Sequence, residues 1–142
     1  MAVKNNKTIS DTLNEKQKRV LNELFFESAE VDIQGIKVLK LSGEIDIYSA
    51  PKFRSAVMHI LDEDELHLII DMQNVRYMDS SGFAILVTAI KRLSPNGGTM
   101  SLVGCTSTIN RMLHVIHLDS IISLYQNMDD AMESLLPIDF KA

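Results

Sequence analysis

The sequence predicts an α/β domain, a mixed sheet of four to five strands with about four helices. Three observations carry this. The apolar residues change period along the chain, from alternation to helical three-and-four spacing and back, in the order β-β-α-β-α-β-α-(β)-α. The first two strand-like runs are separated only by Gln34-Gly35, the length of a tight antiparallel hairpin. Each later strand is preceded by a helical segment, and parallel neighbours need such crossovers.

Residues 1 to 24 form a polar extension with a helical stretch from Asp11 to Leu24. Leu13, Val20, Leu21 and Leu24 share one face of it, which Gln17 interrupts. The domain proper spans 25 to 142. Val31 and Ile33 alternate with polar neighbours, as do Ile36 and Val38, and Gly43 is expected to end the second strand. Ser49 is placed to cap the next helix, with Pro51 in its first turn, where a missing N–H costs nothing. Phe53, Ala56, Val57, Ile60 and Leu61 make its buried face. "LHLIID" is a nearly continuous apolar run, as a central strand covered on both sides should be. Phe83, Leu86, Val87 and Ile90 form the following helical face, which stops near "SPNGG". Those two glycines read as a helix C-cap and a turn, since the lysine of a phosphate loop is missing. "TMSLVGC" is the next strand, and "STINRMLHVI" a short helix with Ile109, Met112, Leu113 and Ile116 inward. "ISLYQN" is an edge strand, and "MDDAMESLL" closes the chain with Met128, Met132 and Leu135 on a core-facing stripe.

Composition narrows the function. At 142 residues, 46% hydrophobic and 23% charged, the chain has the make-up of one ordinary globular domain. Fourteen basic against nineteen acidic residues give a net charge of -5, which argues against direct nucleic-acid binding. No uncharged apolar run approaches the roughly 20 residues of a membrane span, and the start lacks the apolar core of a secretory signal. The lone Cys105 has no disulfide partner, which fits a reducing cytoplasm.

Candidate chemistry gathers where strands hand over to helices. Asp46 follows the second strand, Asp71 ends "LHLIID", and Asp79 stands at the next helix entry. Three such carboxylates are the raw material of a magnesium or phospho-aspartate site, but acids at helix entries more commonly cap amides. His59, His67, His114 and His117 have no glutamate or cysteine at a ligand spacing, and no motif asks for a cofactor or metal. "MDSSG" lacks the elbow of a serine hydrolase, and Cys105 after an apolar strand reads as packing. That leaves Ser80 and Ser81. Either could cap the helix. Two hydroxyls are present where one cap suffices, however, and Gly82 removes a side chain so that something can approach. A phosphate there would meet the amides and positive end of a helix. Carried backwards, the helical wheel favours Ser81 as the more exposed, though it does not apply before the helix begins.

"LSGEIDIYSAPKFRSAV", "LIIDMQNVRYMDSSGFAIL", "NGGTMSLVGC" and "LDSIISLYQNMDDAMESL" together resemble the STAS domain, and more narrowly the bacterial anti-sigma factor antagonists, over about residues 25 to 136. The resemblance implies a STAS-like fold and a partner switch without enzymatic activity. The unphosphorylated protein would bind an anti-sigma factor that is also a serine kinase, and a sigma factor would be released. Phosphorylation of the motif's first serine, Ser80, would end binding, and a serine phosphatase would restore it. Ser81 is the second choice of acceptor, and Asp46, Asp79, Ser81 and Gly82 would belong to the partner-binding surface. Phe83-Ala84 stands where the family often has Leu-Gly, and the extension is longer than usual. Two other readings compete: a constitutive STAS scaffold in a transporter-associated or stress-sensing complex, and a magnesium-dependent phospho-aspartate receiver.

Overall fold

The structure, a computed structural model, describes residues 12–136. The polar segment before Thr12, and the side chains of Leu21 and Leu24 on which the first helical face partly rests, lie outside the described residues.

The first helix, α1, runs Glu15–Phe25. Gln17, the polar break in the apolar face, also helps start the helix: Asn14 Oδ1 accepts from Gln17 N at 2.8 Å, and Gln17 Oε1 accepts from Asn14 N at 3.0 Å. This is a reciprocal capping box, with both end donors satisfied by side chains. Phe25 at its end is exposed, whereas Phe26 is buried and meets Phe53 edge-on at 6.5 Å.

Strand β1 (Glu27–Ile33) pairs antiparallel with β2 (Ile36–Ile45). Gln34 and Gly35 both take positive φ, 53° and 85°, as the tightest hairpin link requires. Helix α2 (Ala50–Leu61) crosses to β3 (His67–Met78), α3 (Ser80–Leu93) to β4 (Thr99–Val103), and α4 (Ser107–Val115) to β5 (Ser123–Tyr125). The last helix is α5 (Met128–Leu135). Sheet order is β1-β2-β3-β4-β5, with every pair after the hairpin parallel. The expected mixed α/β architecture is therefore present, with five strands and five α-helices among the described residues.

Each face of the sheet has its own core. Leu68, Ile70 and Met72 of β3 point into the larger one, with Phe53, Ile60, Leu86 and Leu113 from the three crossover helices. Ile69 points the other way, where Val38, Val103, Ala131 and Met132 pack under α5. Burial on both sides explains the unbroken apolar run in "LHLIID".

Three local expectations are corrected. Gly43 does not end β2. It lies inside the strand at φ 106°, beside shifts of register, and a Cβ there would stand 2.5 Å from the Phe25 carbonyl, so glycine is what lets the end of α1 cross β2. Strand β3 continues seven residues past Asp71, because "MQNVRYM" goes on pairing with β2 as far as Met78–Ile45. Met112 and Ile116 are not inward. On α4 only Ile109 and Leu113 are buried.

Candidate functional site

Strands β2, β3 and β4 end along one edge of the sheet, and each hands over to a helix there. Ile45 pairs with Met78, so Asp46 and Asp79 follow matched strand ends, and Asp79 N donates to Ile45 O at 3.0 Å.

At the first corner Asp46 Oδ1 accepts from Tyr48 N at 2.9 Å and Ser49 N at 3.0 Å. Ser49 does not cap α2 through its side chain. Its hydroxyl donates to Glu44 O at 2.7 Å and accepts from Asp46 N at 3.0 Å, with the residue fully buried. It ties the end of β2 to the turn.

At the second corner the cap is Asp79, whose Oδ1 accepts from Ser81 N at 2.9 Å. Neither serine caps α3. Ser80 is exposed, and its hydroxyl makes no hydrogen bond among the described residues. Ser81 is half-buried, the opposite of what the helical wheel favours, although both serines lie in the first turn of α3. Gly82 is buried rather than presented to a partner. A Cβ there would meet the side chain of Met78, with its Sδ at 2.6 Å, and Ile45 Cγ2 at 2.8 Å. The close approach it permits is therefore between α3 and the sheet.

Beside Ser80 lies a largely apolar groove of about 320 Å³ between the start of α3 and α4, with Met78, Phe83, Ile109, Met112 and Ile116 in its walls. Arg76 and Asp79 are the two charged residues lining it. Tyr77 at its rim is 49% exposed, and Ile47 at the neighbouring corner 66%. Sequence reasoning missed this apolar surround. The stripe on α4 is wider than the part of it that is buried, and periodicity alone cannot tell the two halves apart.

The other candidates disperse. Asp71 lies inside β3, paired with Lys40 and Val103, and accepts from Gln73 N at 3.0 Å, so the three carboxylates do not gather. His67 Nδ1 pairs with Thr99 Oγ1 at 2.8 Å and His114 Nδ1 with Asp119 at 2.8 Å. One cluster escaped the spacing test: donor atoms of Glu30, His59 and Glu63 lie within 4.8 Å of one another at the surface. Lys37 Nζ stands among them, 3.1 Å from Glu30 and 4.0 Å from Glu63, so an ammonium already pairs with both carboxylates. The hydrogen bond to Glu30 raises the Lys37 pKa above 10.5. Cys105 packs against the larger core, and burial pushes its thiol from 9.0 up to about 12, so it is protonated at neutral pH.

The chain matches the STAS domain over residues 22–131. The chain belongs to the STAS domain family. Among its STAS relatives is the anti-sigma F factor antagonist of Paenibacillus polymyxa, 25% identical over 103 residues, covering 72% of this chain and 88% of that one. An anti-sigma-B factor antagonist of Staphylococcus aureus is 23% identical over 91 residues, 64% of this chain and 84% of that one. The crystal structure of an anti-sigma factor antagonist from Mycobacterium paratuberculosis superposes with a TM-score of 0.72 at 28% identity, covering 78% of this chain and 93% of that one. No helix among the described residues is long and apolar enough to cross a membrane.

Proposed function

We propose that this STAS protein is an anti-sigma factor antagonist that works by partner switching in the cytoplasm, with Ser80 as its phosphoacceptor. Unphosphorylated, it binds an anti-sigma factor with serine kinase activity and so frees a sigma factor. Phosphate on Ser80 ends the complex, and a serine phosphatase resets it. The protein acts by binding and performs no chemistry of its own. The observation that carries this reading is the setting of Ser80: an exposed hydroxyl with no partner among the described residues, at the mouth of an apolar groove lined by exposed Tyr77, Met112 and Ile116. Apolar surface of this kind is what a partner covers. A phosphoryl group at its mouth adds roughly -1.5 to -2 charges that the complex would have to bury. Asp46 and Asp79 shape the surface by fixing the two turns.

The test is incubation with ATP and a serine kinase encoded beside this protein, read by mass spectrometry and by binding. Ser80→Ala should abolish labelling while Ser81→Ala retains it, and Ser80→Glu should bind the kinase at least tenfold more weakly. Undiminished labelling of Ser80→Ala, or wild-type affinity of Ser80→Glu, would overturn the proposal. Stable capture in a complex without a kinase, with no phosphorylated form in cells, would point to a constitutive scaffold.

A further inference from the structure

We propose that Arg76 is the phosphate-binding residue of this site, holding the phosphoryl group once it is on Ser80; the inference rests on the reading of Ser80 as the phosphoacceptor. A phosphate at the start of a helix would ordinarily be received by free amides. Here all but that of Ser80 itself are taken among the described residues. Ser81 N donates to the Asp79 carboxylate, and the N–H groups of Gly82 and Phe83 donate to Asp79 O at 3.0 and 3.3 Å. The Asp79 carboxylate also puts a like charge beside Ser80, which opposes a second ionisation of the phosphate. With at most its own N–H left at the helix start, a phosphoryl group on Ser80 gains most from a cation elsewhere.

The groove supplies one. Arg76, near the end of β3 and four residues before Ser80, is the single cation among the residues lining it. It is exposed and has neither a hydrogen bond nor an ion pair among the described residues, so nothing must be broken to recruit it. A guanidinium offers paired donors that fit a phosphate's oxygens, where an ammonium offers only a point charge. Pairing would draw Arg76 to the mouth of the groove. Phosphorylation then opposes the partner twice, by adding charge and by moving a long side chain to the entrance of its apolar seat.

The test uses the full chain with phosphoserine placed at position 80 during synthesis, so that it does not depend on any kinase. Phosphorus NMR then follows the second ionisation of the phosphate, ordinarily near 6. Arg76→Ala should raise that pKa by roughly 0.3–0.7 of a pH unit, the size of an exposed charge pair, and the difference should shrink in about 1 M salt. Arg54→Ala, which removes an exposed arginine of α2 that does not line the groove, should leave it in place. An unchanged value in Arg76→Ala, or an equal rise in Arg54→Ala, would overturn the inference. A Ser80 that no kinase labels would sink the functional proposal while leaving this result standing.

Discussion

The corners after β2 and β3 are built from the same parts and put to opposite ends. In both, an aspartate follows the last paired residue of a parallel strand, its carboxylate accepts backbone N–H groups two or three residues on, and a serine stands close by. At the first corner the serine is fully buried, with its hydroxyl both donating and accepting. At the second, Ser80 is exposed with its hydroxyl unengaged among the described residues. A helix-entry serine becomes available to a partner when another residue takes over the cap and the fold leaves its hydroxyl nothing to bind. Asp79 makes that substitution for Ser80.

The widest gap between the corners should appear on removing each hydroxyl. Ser49→Ala leaves the Glu44 carbonyl without its donor and Asp46 N without its acceptor in a buried setting, a loss of about 1–3 kcal/mol. Ser80→Ala removes a solvated hydroxyl and should change stability by no more than about 0.5 kcal/mol. Urea unfolding of the two variants measures both. Equal losses would erase the distinction, and would also mean that the failure of Ser80→Ala to be phosphorylated could reflect damage to the fold.

A smaller effect is expected one turn further on, where the second corner is open above and tight beneath. Gly82→Ala gains helix propensity, worth up to about 1 kcal/mol, because its position is helical. Its methyl group, however, would stand 2.8 Å from Cγ2 of the fully buried, branched Ile45. The flexible Met78 side chain can move aside more easily than Ile45 can. Overpacking of about 1–3 kcal/mol should outweigh the propensity gain and leave a net loss of roughly 1 kcal/mol. A Gly82→Ala protein more stable than wild type to urea would show that α3 can lift from the sheet, and that the lower half of this corner is as yielding as its upper half.

The same contrast explains what the sequence could disclose. Features set by neighbouring residues were legible: the Gln34-Gly35 hairpin, the glycine stop at "NGG", the doubly covered run of β3, and the handover of strand to helix at Asp79. Features set by distant contacts were not. Ser49 sits where a cap should, and only the Glu44 carbonyl five residues back diverts its hydroxyl. The far half of β3 reads as loop because β2 shifts register against it at Lys40/Ser42 and Gly43/Glu44, which breaks the alternation a strand normally shows. Met112 and Ile116 look like core because α4 carries a wider apolar stripe than the sheet covers. The two serines were distinguished by resemblance, whereas their exposure follows from where α3 starts.

A third corner, after β4, tests the comparison on sulfur. Thr106 caps α4 by accepting from Ile109 N at 3.3 Å, and the neighbouring Cys105 packs partly buried against the core, without a hydrogen-bond network like that of Ser49. Burial lifts its pKa from 9.0 to about 12. A thiol raised in this way keeps its proton in the native state where the unfolded chain has lost it. Its contribution to stability is thus intact below about pH 9 and is lost as the pH climbs from 9 towards 12. Lys37, also raised, loses its contribution in the same direction above 10.5, but it is present in both proteins of a pair and cancels. Wild type should therefore lose more stability than Cys105→Ala between about pH 9 and 11, by urea midpoints at matched ionic strength. Parallel curves would mean that the thiolate is solvated as it forms, which would make Cys105, like Ser80, open at its sheet edge.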